Sequence, residues 1–231
     1  MRGSLSVNQP LVRGLVNRIL LAGSGGAKRP RIMEDPLVAF PESAELVERF
    51  DELREEVDRL IGVRDLTPYG DIDPTRAAQV SIGWRLYYAY MLGVANERAH
   101  RDLPLVMDFV ERTPRVVNAM VAQLPPGVTL DAHEGPYAGI LRYHLPLRVP
   151  TDSPPYLRVD QTFHTWAERR PILIDDTFEH EVYNTSTGTR TMLIIDVRRP
   201  LNPVLDGLNR LCLRLKQRWS AQMIADANGD I

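Results

Sequence analysis

From Pro114 onward the sequence breaks into short β-type runs, each closed by a turn, and this rhythm limits the fold more than any other feature. The runs are 116–124, 138–147, 156–159, 162–167, 172–174, 181–184 and 191–197. Pro125-Pro126-Gly127, Pro154-Pro155, Asp175-Asp176 and Ser186-Thr187-Gly188 separate them. Proline and glycine at such points end a strand and turn the chain. Many short strands at even spacing predict a barrel or jelly roll, a mainly β fold with flanking helices.

Before that point the patterning is mostly helical. Over 41–61, Leu46, Val47, Phe50, Leu53, Val57, Leu60 and Ile61 form one apolar stripe, which predicts a helix. Glu45 with Arg49, and Glu55 with Arg59, stand four apart on its wet side. A turn-rich loop, 67–74, follows. The run 80–92 is rich in Trp, Tyr and Val and predicts strand. Residues 104–111 read as a short helix opened by Pro104. The chain ends on a helix with Leu205, Leu208, Leu211, Leu215 and Trp219 on one face, beside Arg210, Arg214, Lys216 and Arg218.

The first 33 residues carry Arg2, Arg13, Arg18, Lys28, Arg29 and Arg31 and no acid. Leu11, Val12, Leu15, Val16, Ile19 and Leu20 recur at helical spacing. Such a basic amphipathic helix either lies on a membrane surface or docks on its own domain. Gly23-Ser24-Gly25-Gly26 then reads as a hinge. The expected organisation is an N-terminal extension (1–33), a supporting region (34–115), the β core with a metal site (116–200) and a C-terminal helix (201–231).

Composition narrows the function. The net charge of −2 argues against a nucleic-acid binder, which needs a basic face. One cysteine, Cys212, excludes a disulfide framework and a thiolate zinc cluster. No apolar run approaches the roughly 20 residues of a membrane span. The chain reads as cytoplasmic, with basic ends suited to peripheral contact at the inner face of a membrane. Any metal must be held by the five histidines and the carboxylates.

His133 follows the Pro-Pro-Gly turn, and His180 lies between two β runs. Two imidazoles at strand ends of a small barrel suit one Fe(II) or a similar ion. Arg142 and His144, two apart, share one face of a strand. Arg190 opens the last strand. A buried arginine needs an acid, which Asp175, Asp176, Glu179 or a small dicarboxylate ligand would supply.

Five stretches carry a resemblance: Leu124-Pro-Pro-Gly127, His133-Glu-Gly-Pro-Tyr137, Leu141-Arg-Tyr-His-Leu145, Ile174-Asp-Asp-Thr-Phe-Glu-His-Glu181, and Arg190 through Asp196-Val-Arg-Arg-Pro200. In order and spacing, from Gly83 to Pro200, they resemble the aspartyl/asparaginyl β-hydroxylase family of Fe(II)- and 2-oxoglutarate-dependent oxygenases. The wording is most similar to bacterial members, including lipid A acyl-chain hydroxylases. The resemblance implies a double-stranded β-helix, a cupin-like jelly-roll barrel. It implies His133 and His180 as iron ligands and Arg190 as the partner of the distal carboxylate of 2-oxoglutarate. Arg142 and His144 would orient that cosubstrate, and Asp176 would accept from a water or ligand near the metal. O2 is the other cosubstrate. Gly135 stands where many such oxygenases have the third, carboxylate ligand, and the animal aspartyl hydroxylases also have glycine there.

Two departures bear on the substrate. Ala122 replaces a serine whose hydroxyl often helps hold the cosubstrate. Ile140 replaces an arginine that grips the carboxylate of an aspartyl substrate. The expected substrate is therefore a less acidic small molecule, a modified amino acid or an acyl chain. Trp84 and Tyr88, with Ile140, are candidate pocket residues. His164 reads as structural and His100 as exposed. Two other outcomes are open at this point: the same cofactor chemistry diverted to halogenation, desaturation or cyclisation, or a non-catalytic jelly roll that binds a carboxylate.

Overall fold

The structure, a computed structural model, describes residues 10–72 and 83–227, with side chains for 11–72 and 83–217. Arg2, Pro74 and residues 80–82 lie outside the described residues, as do the side chains of Arg218 and Trp219. The chain enters through α1 (Pro10–Gly23) and the short strand β1 (Ile32–Met33). Then come α2 (Ala44–Glu48), α3 (Phe50–Val63), β2 (Thr67–Pro68), α4 (Tyr69–Ile72), β3 (Arg85–Met91), β4 (Val94–Ala95), α5 (Ala99–Asp102) and α6 (Pro104–Arg112). The barrel strands follow: β5 (Val116–Leu124), β6 (Thr129–His133), β7 (Ile140–Arg148), β8 (Tyr156–Val159), β9 (Thr162–Thr165), β10 (Ile172–Ile174), β11 (His180–Tyr183) and β12 (Arg190–Arg198). Helix α7 (Pro203–Ala227) closes the chain.

The strands form two sheets. The larger runs β1-β10-β7-β12-β5-β3-β2, with β4 on β3, and the smaller runs β6-β11-β8-β9. From β5 to β12 the chain passes back and forth between them, and the strands pair antiparallel. That alternation is the double-stranded β-helix, the expected jelly roll.

Strand alternation sorts the side chains of the large sheet. Leu141, Tyr143, Leu145, Leu193 and Ile195 point outward, into a core shared with Phe50, Leu53 and Val57 of α3 and Val106 and Phe109 of α6. Met120, Ala122, Leu124, Met192 and Ile194 point inward, against Leu130, Leu157, Val159 and Val182 of the small sheet. With both faces covered, β12 is an almost unbroken apolar run. His144 and Arg142 lie on the inward side, opposite Ile194 and Asp196 of β12.

The helix expected over 41–61 is broken. A 3-10 turn at Pro41–Ser43 leads into α2, and Arg49, at φ −95° and ψ 24°, separates α2 from α3. The apolar stripe crosses the break because Leu46, Phe50 and Leu53 all reach the same core. Arg49 pairs with Glu52 at 2.7 Å, and Glu45 pairs with Arg112 at 2.6 Å, so the expected Glu45–Arg49 pair does not form.

The N-terminal segment is built into the barrel. Leu20 of α1 is fully buried in a cluster with Tyr137, Ile140 and Cys212. The run 23–26 is a packed corner and not a loose hinge: Gly23 abuts Leu205 of α7, and Gly25 and Gly26 take positive φ to turn the chain. Ile32 and Met33 then pair with Ile174 and Leu173, extending the large sheet.

Candidate active site

The register places the two candidate metal ligands side by side. His180 of β11 stands opposite His133 of β6, and their ring centroids are 4.2 Å apart. Each imidazole has Nδ1 against a main-chain carbonyl, His133 on Asp131 O at 2.6 Å and His180 on Phe178 O at 2.9 Å. Nδ1–H donation to a carbonyl makes Nε2 the nitrogen with the lone pair, the tautomer a metal needs. Burial, with His133 close by, pushes the pKa of His180 down to about 3, so it is neutral at physiological pH.

Gly135 lies two residues beyond His133, and its N–H donates to Asp176 O at 2.7 Å. A Cβ at this position would collide with the Asp176 carboxylate. The space of a third-ligand side chain is therefore filled by Asp176. Both oxygens of that carboxylate are buried without a hydrogen-bond partner. Desolvation pushes its pKa up to about 6, against the pull of Arg142, whose Nη1 lies 3.5 Å away. Among the described residues no group of three or more His, Cys, Asp or Glu is gathered to hold a metal.

Arg142 has a different setting from the one expected. Its Nε and Nη2 donate to Asp196 at 2.7 and 3.0 Å, a bidentate pair, and Asn118 donates to the same carboxylate at 2.7 Å. Burial opposes the charge, but Asp196 and Asp176 outweigh it and raise the pKa of Arg142. The guanidinium thus bridges two carboxylates and is committed to them, with only its Nη1 side turned to Asp176.

Arg190 is the opposite case. It is 2 % exposed, and its Nε and Nη1 have no hydrogen-bond partner. The guanidinium stacks on Trp166 at 4.3 Å. Burial alone lowers its pKa to about 9. None of Asp175, Asp176 and Glu179 supplies the acid. Asp175 is taken by Arg29 at 2.8 Å and Arg199 at 2.7 and 2.8 Å, and Glu179 by Arg158 at 3.0 Å. His144 is 5.9 Å from Trp166 between ring centroids, and its Nδ1 is also unpartnered. Burial, Arg190 and Arg142 push its pKa well down, so it is a neutral donor or acceptor. Ala122 is fully buried on the same inner face, beside Met192 and Leu86.

The candidate pocket residues divide. Tyr88 packs on the inner cluster, close enough to Arg142 to influence its charge. Trp84 is nearly buried against Tyr69, with ring centroids 4.8 Å apart. Ile140 is not a pocket wall: it is buried with Leu20, Val117 and Tyr137 under the terminal helices. Its apolar side chain answers to that packing. His164 contacts Glu34 at 3.0 Å and His100 contacts Glu111 at 2.7 Å.

Three supporting residues were given no role by the sequence, although Asp196 and Arg199 fall in the fifth matching stretch. Asp196 fixes Arg142. Arg29 and Arg199 fix Asp175, which also accepts from the Thr177 hydroxyl at 2.6 Å. Burial works against that charge, yet these donors hold the pKa of Asp175 at about 2. Arg29 and Arg31 also stack on Phe178, at 4.7 and 4.3 Å. The N-terminal segment thereby straps down the loop that carries Asp176 and leads into His180.

The profile of the aspartyl/asparaginyl β-hydroxylases matches residues 47–200. An ornithine lipid ester-linked acyl 2-hydroxylase of Rhizobium tropici is 32% identical over 165 residues, covering 70% of this chain and 59% of that protein. The human aspartyl/asparaginyl β-hydroxylase is 30% identical over 122 residues, covering 51% of this chain and 16% of its own length. The chain thus spans about three fifths of the bacterial relative and about a sixth of the human one. A solved prolyl-4-hydroxylase of Pseudomonas putida is a distant likeness, with a TM-score of 0.44 and 17% identity over 68% of this chain and 88% of that one. With the matched region running through the paired histidines, Asp176 and Arg190, the chain belongs to the aspartyl/asparaginyl β-hydroxylase family.

Proposed function

We propose that the protein is an Fe(II)- and 2-oxoglutarate-dependent hydroxylase acting on an unactivated C–H bond of a weakly acidic substrate, with an acyl chain the favoured class. The observation that carries this reading is Arg190, a buried guanidinium with no acid and two unsatisfied donors inside the barrel. An isolated buried charge is costly, and a dicarboxylate ligand is the chemistry that satisfies it bidentately. The donor set at the other end suits iron: two imidazoles with Nε2 as the ligating atom, beside the Asp176 carboxylate. When bound, iron with 2-oxoglutarate and O2 supplies the oxidant that turns C–H into C–OH, with succinate and CO2 as coproducts.

The chain's own residues position and exclude. His133 and His180 hold the metal. Arg190, backed by Trp166, anchors the far carboxylate, and neutral His144 offers a hydrogen bond along the inner wall. Asp176, aimed by Arg142, accepts from a water or ligand in the space beside Gly135. The apolar inner faces of both sheets keep the interior dry, which strengthens each of these contacts. The acyl preference rests on the bacterial relative, which is named for an acyl chain.

Halogenation fits less well. A halide beside Gly135 would face the Asp176 carboxylate, and like charges repel. A purely binding jelly roll leaves the ordered imidazole pair without a use. The test is succinate release with Fe(II), ascorbate and a panel of acyl-amino lipids and free amino acids. Substrate-dependent succinate with a product heavier by one oxygen supports the proposal. No 2-oxoglutarate binding by calorimetry, or full turnover by His180→Ala, would sink it.

A further inference from the structure

We infer that the outer sides of α1 and α7 form a docking face for an anionic lipid surface, on the two helices that pack against the loop after His133. Ten large apolar side chains are exposed among the described residues, and six belong to these two helices. Leu11 (89 % exposed), Leu15 (60 %) and Ile19 (40 %) follow one another at four-residue steps along α1, and Val204, Leu211 and Leu215 mark the outer side of α7. A helix that serves only its own domain needs one apolar side. Helix α1 has two: Val16 and Leu20 pack inward, while the row from Leu11 to Ile19 meets solvent.

Charge selects the occupant. Arg13 and Arg18 accompany the exposed row, with no acid anywhere in α1. Arg210 and Arg214 are exposed on α7, and Asp206 is already engaged by Arg198 and Arg210. Two copies meeting through this face would set arginines against arginines, since an isologous contact repeats the same patch. Lipid phosphates match it, and the leucines enter the acyl boundary as in interfacial helices. No helix among the described residues is long and apolar enough to cross a membrane, so the contact is peripheral.

Position gives the face a purpose. Asn17 of α1 donates to Pro136 O at 3.2 Å and accepts from Ala138 N at 3.0 Å, in the loop that leaves His133. Lys216 of α7 lies 3.9 Å over the ring of Tyr137 in the same loop. A membrane on the outer sides of α1 and α7 is therefore one helix away from the loop that follows His133, a proposed metal ligand. The use of this contact, delivery of an acyl chain, rests on the proposed function, but the contact is measured without turnover.

The test is co-sedimentation of the full chain with vesicles of phosphatidylcholine mixed with phosphatidylglycerol, against phosphatidylcholine alone. The wild type should pellet with the mixed vesicles only, and salt should weaken it. Arg13→Gln and Arg18→Gln should each cost about fivefold in affinity. Leu11→Asp/Leu15→Asp should abolish pelleting while leaving the thermal midpoint unchanged. If that pair fails to fold, Leu211→Asp/Leu215→Asp carries the same test. A wild type that ignores the mixed vesicles, leucine variants that pellet normally, or a wild-type dimer split by the same substitutions would each overturn the inference. Vesicle binding without any succinate release would leave it standing and overturn the hydroxylase reading instead.

Discussion

Asp175 and Asp176 are neighbours in sequence, both fully buried, and opposite in state. Asp175 accepts from Arg29, Arg199 and Thr177 and is held at about pKa 2. Asp176 accepts no hydrogen bond among the described residues and is pushed up to about 6. The buried arginines repeat the contrast: Arg199 is saturated by Asp175 and the carbonyls of Ala138 and Ile140, whereas Arg190 is left with open donors. A satisfied buried charge is part of the scaffold. An unsatisfied one marks a place where the chain alone is incomplete, because leaving it so costs stability.

Breaking the satisfied set should cost the most. Arg199→Ala removes two donors from Asp175, leaving it Arg29 and Thr177, and should lower unfolding free energy by about 3 kcal/mol in urea melts. The unsatisfied partner should behave in reverse. Arg190→Met should leave the melt unchanged or improved, while 2-oxoglutarate affinity by calorimetry falls roughly 100-fold. If Arg190→Met destabilises as Arg199→Ala does, the contrast collapses.

The pH profile sharpens the same comparison. The folded pKa of Asp175, about 2, lies below its ordinary 3.8. Its charge therefore stabilises the fold above that ordinary value, and the contribution is lost as pH falls toward 2. The loss should be on the order of 2 kcal/mol, and Asp175→Asn should flatten that part of the profile. The smallest effect is expected at Asp176. Asp176→Asn keeps the shape, removes an unmet charge and should spare the melt, while succinate formation drops roughly tenfold.

Most of the barrel was legible in the sequence because turn residues frame each strand. Runs 116–124, 156–159 and 172–174 match β5, β8 and β10 to the residue. Strand β6 was not legible. Its sequence, Thr-Leu-Asp-Ala-His, buries only Leu130, so it has no apolar alternation to read. The break at Arg49 was hidden for the converse reason: no Gly or Pro marks it, and the stripe runs through. At the site, the roles of the histidine pair and Arg190 came from the family resemblance, since the sequence between His133 and His180 hides that those two meet. The pairings made by Asp196, Arg29 and Arg199 were invisible because each spans tens of residues or more and depends on the fold. Ile140 misled because strand parity places it with Arg142, but the terminal helices cover that end of β7.

Strand β1 has a practical consequence for the edge it covers. Ile32 and Met33 pair with β10, which would otherwise end the large sheet with open backbone donors and acceptors. The family match begins only at residue 47. A chain begun there would lack both β1 and the arginine strap. Its bare, wholly apolar Ile172–Ile174 edge would be a template for strand addition by another molecule. Aggregation during expression, and not loss of catalysis, is the first defect such a shortened protein should show.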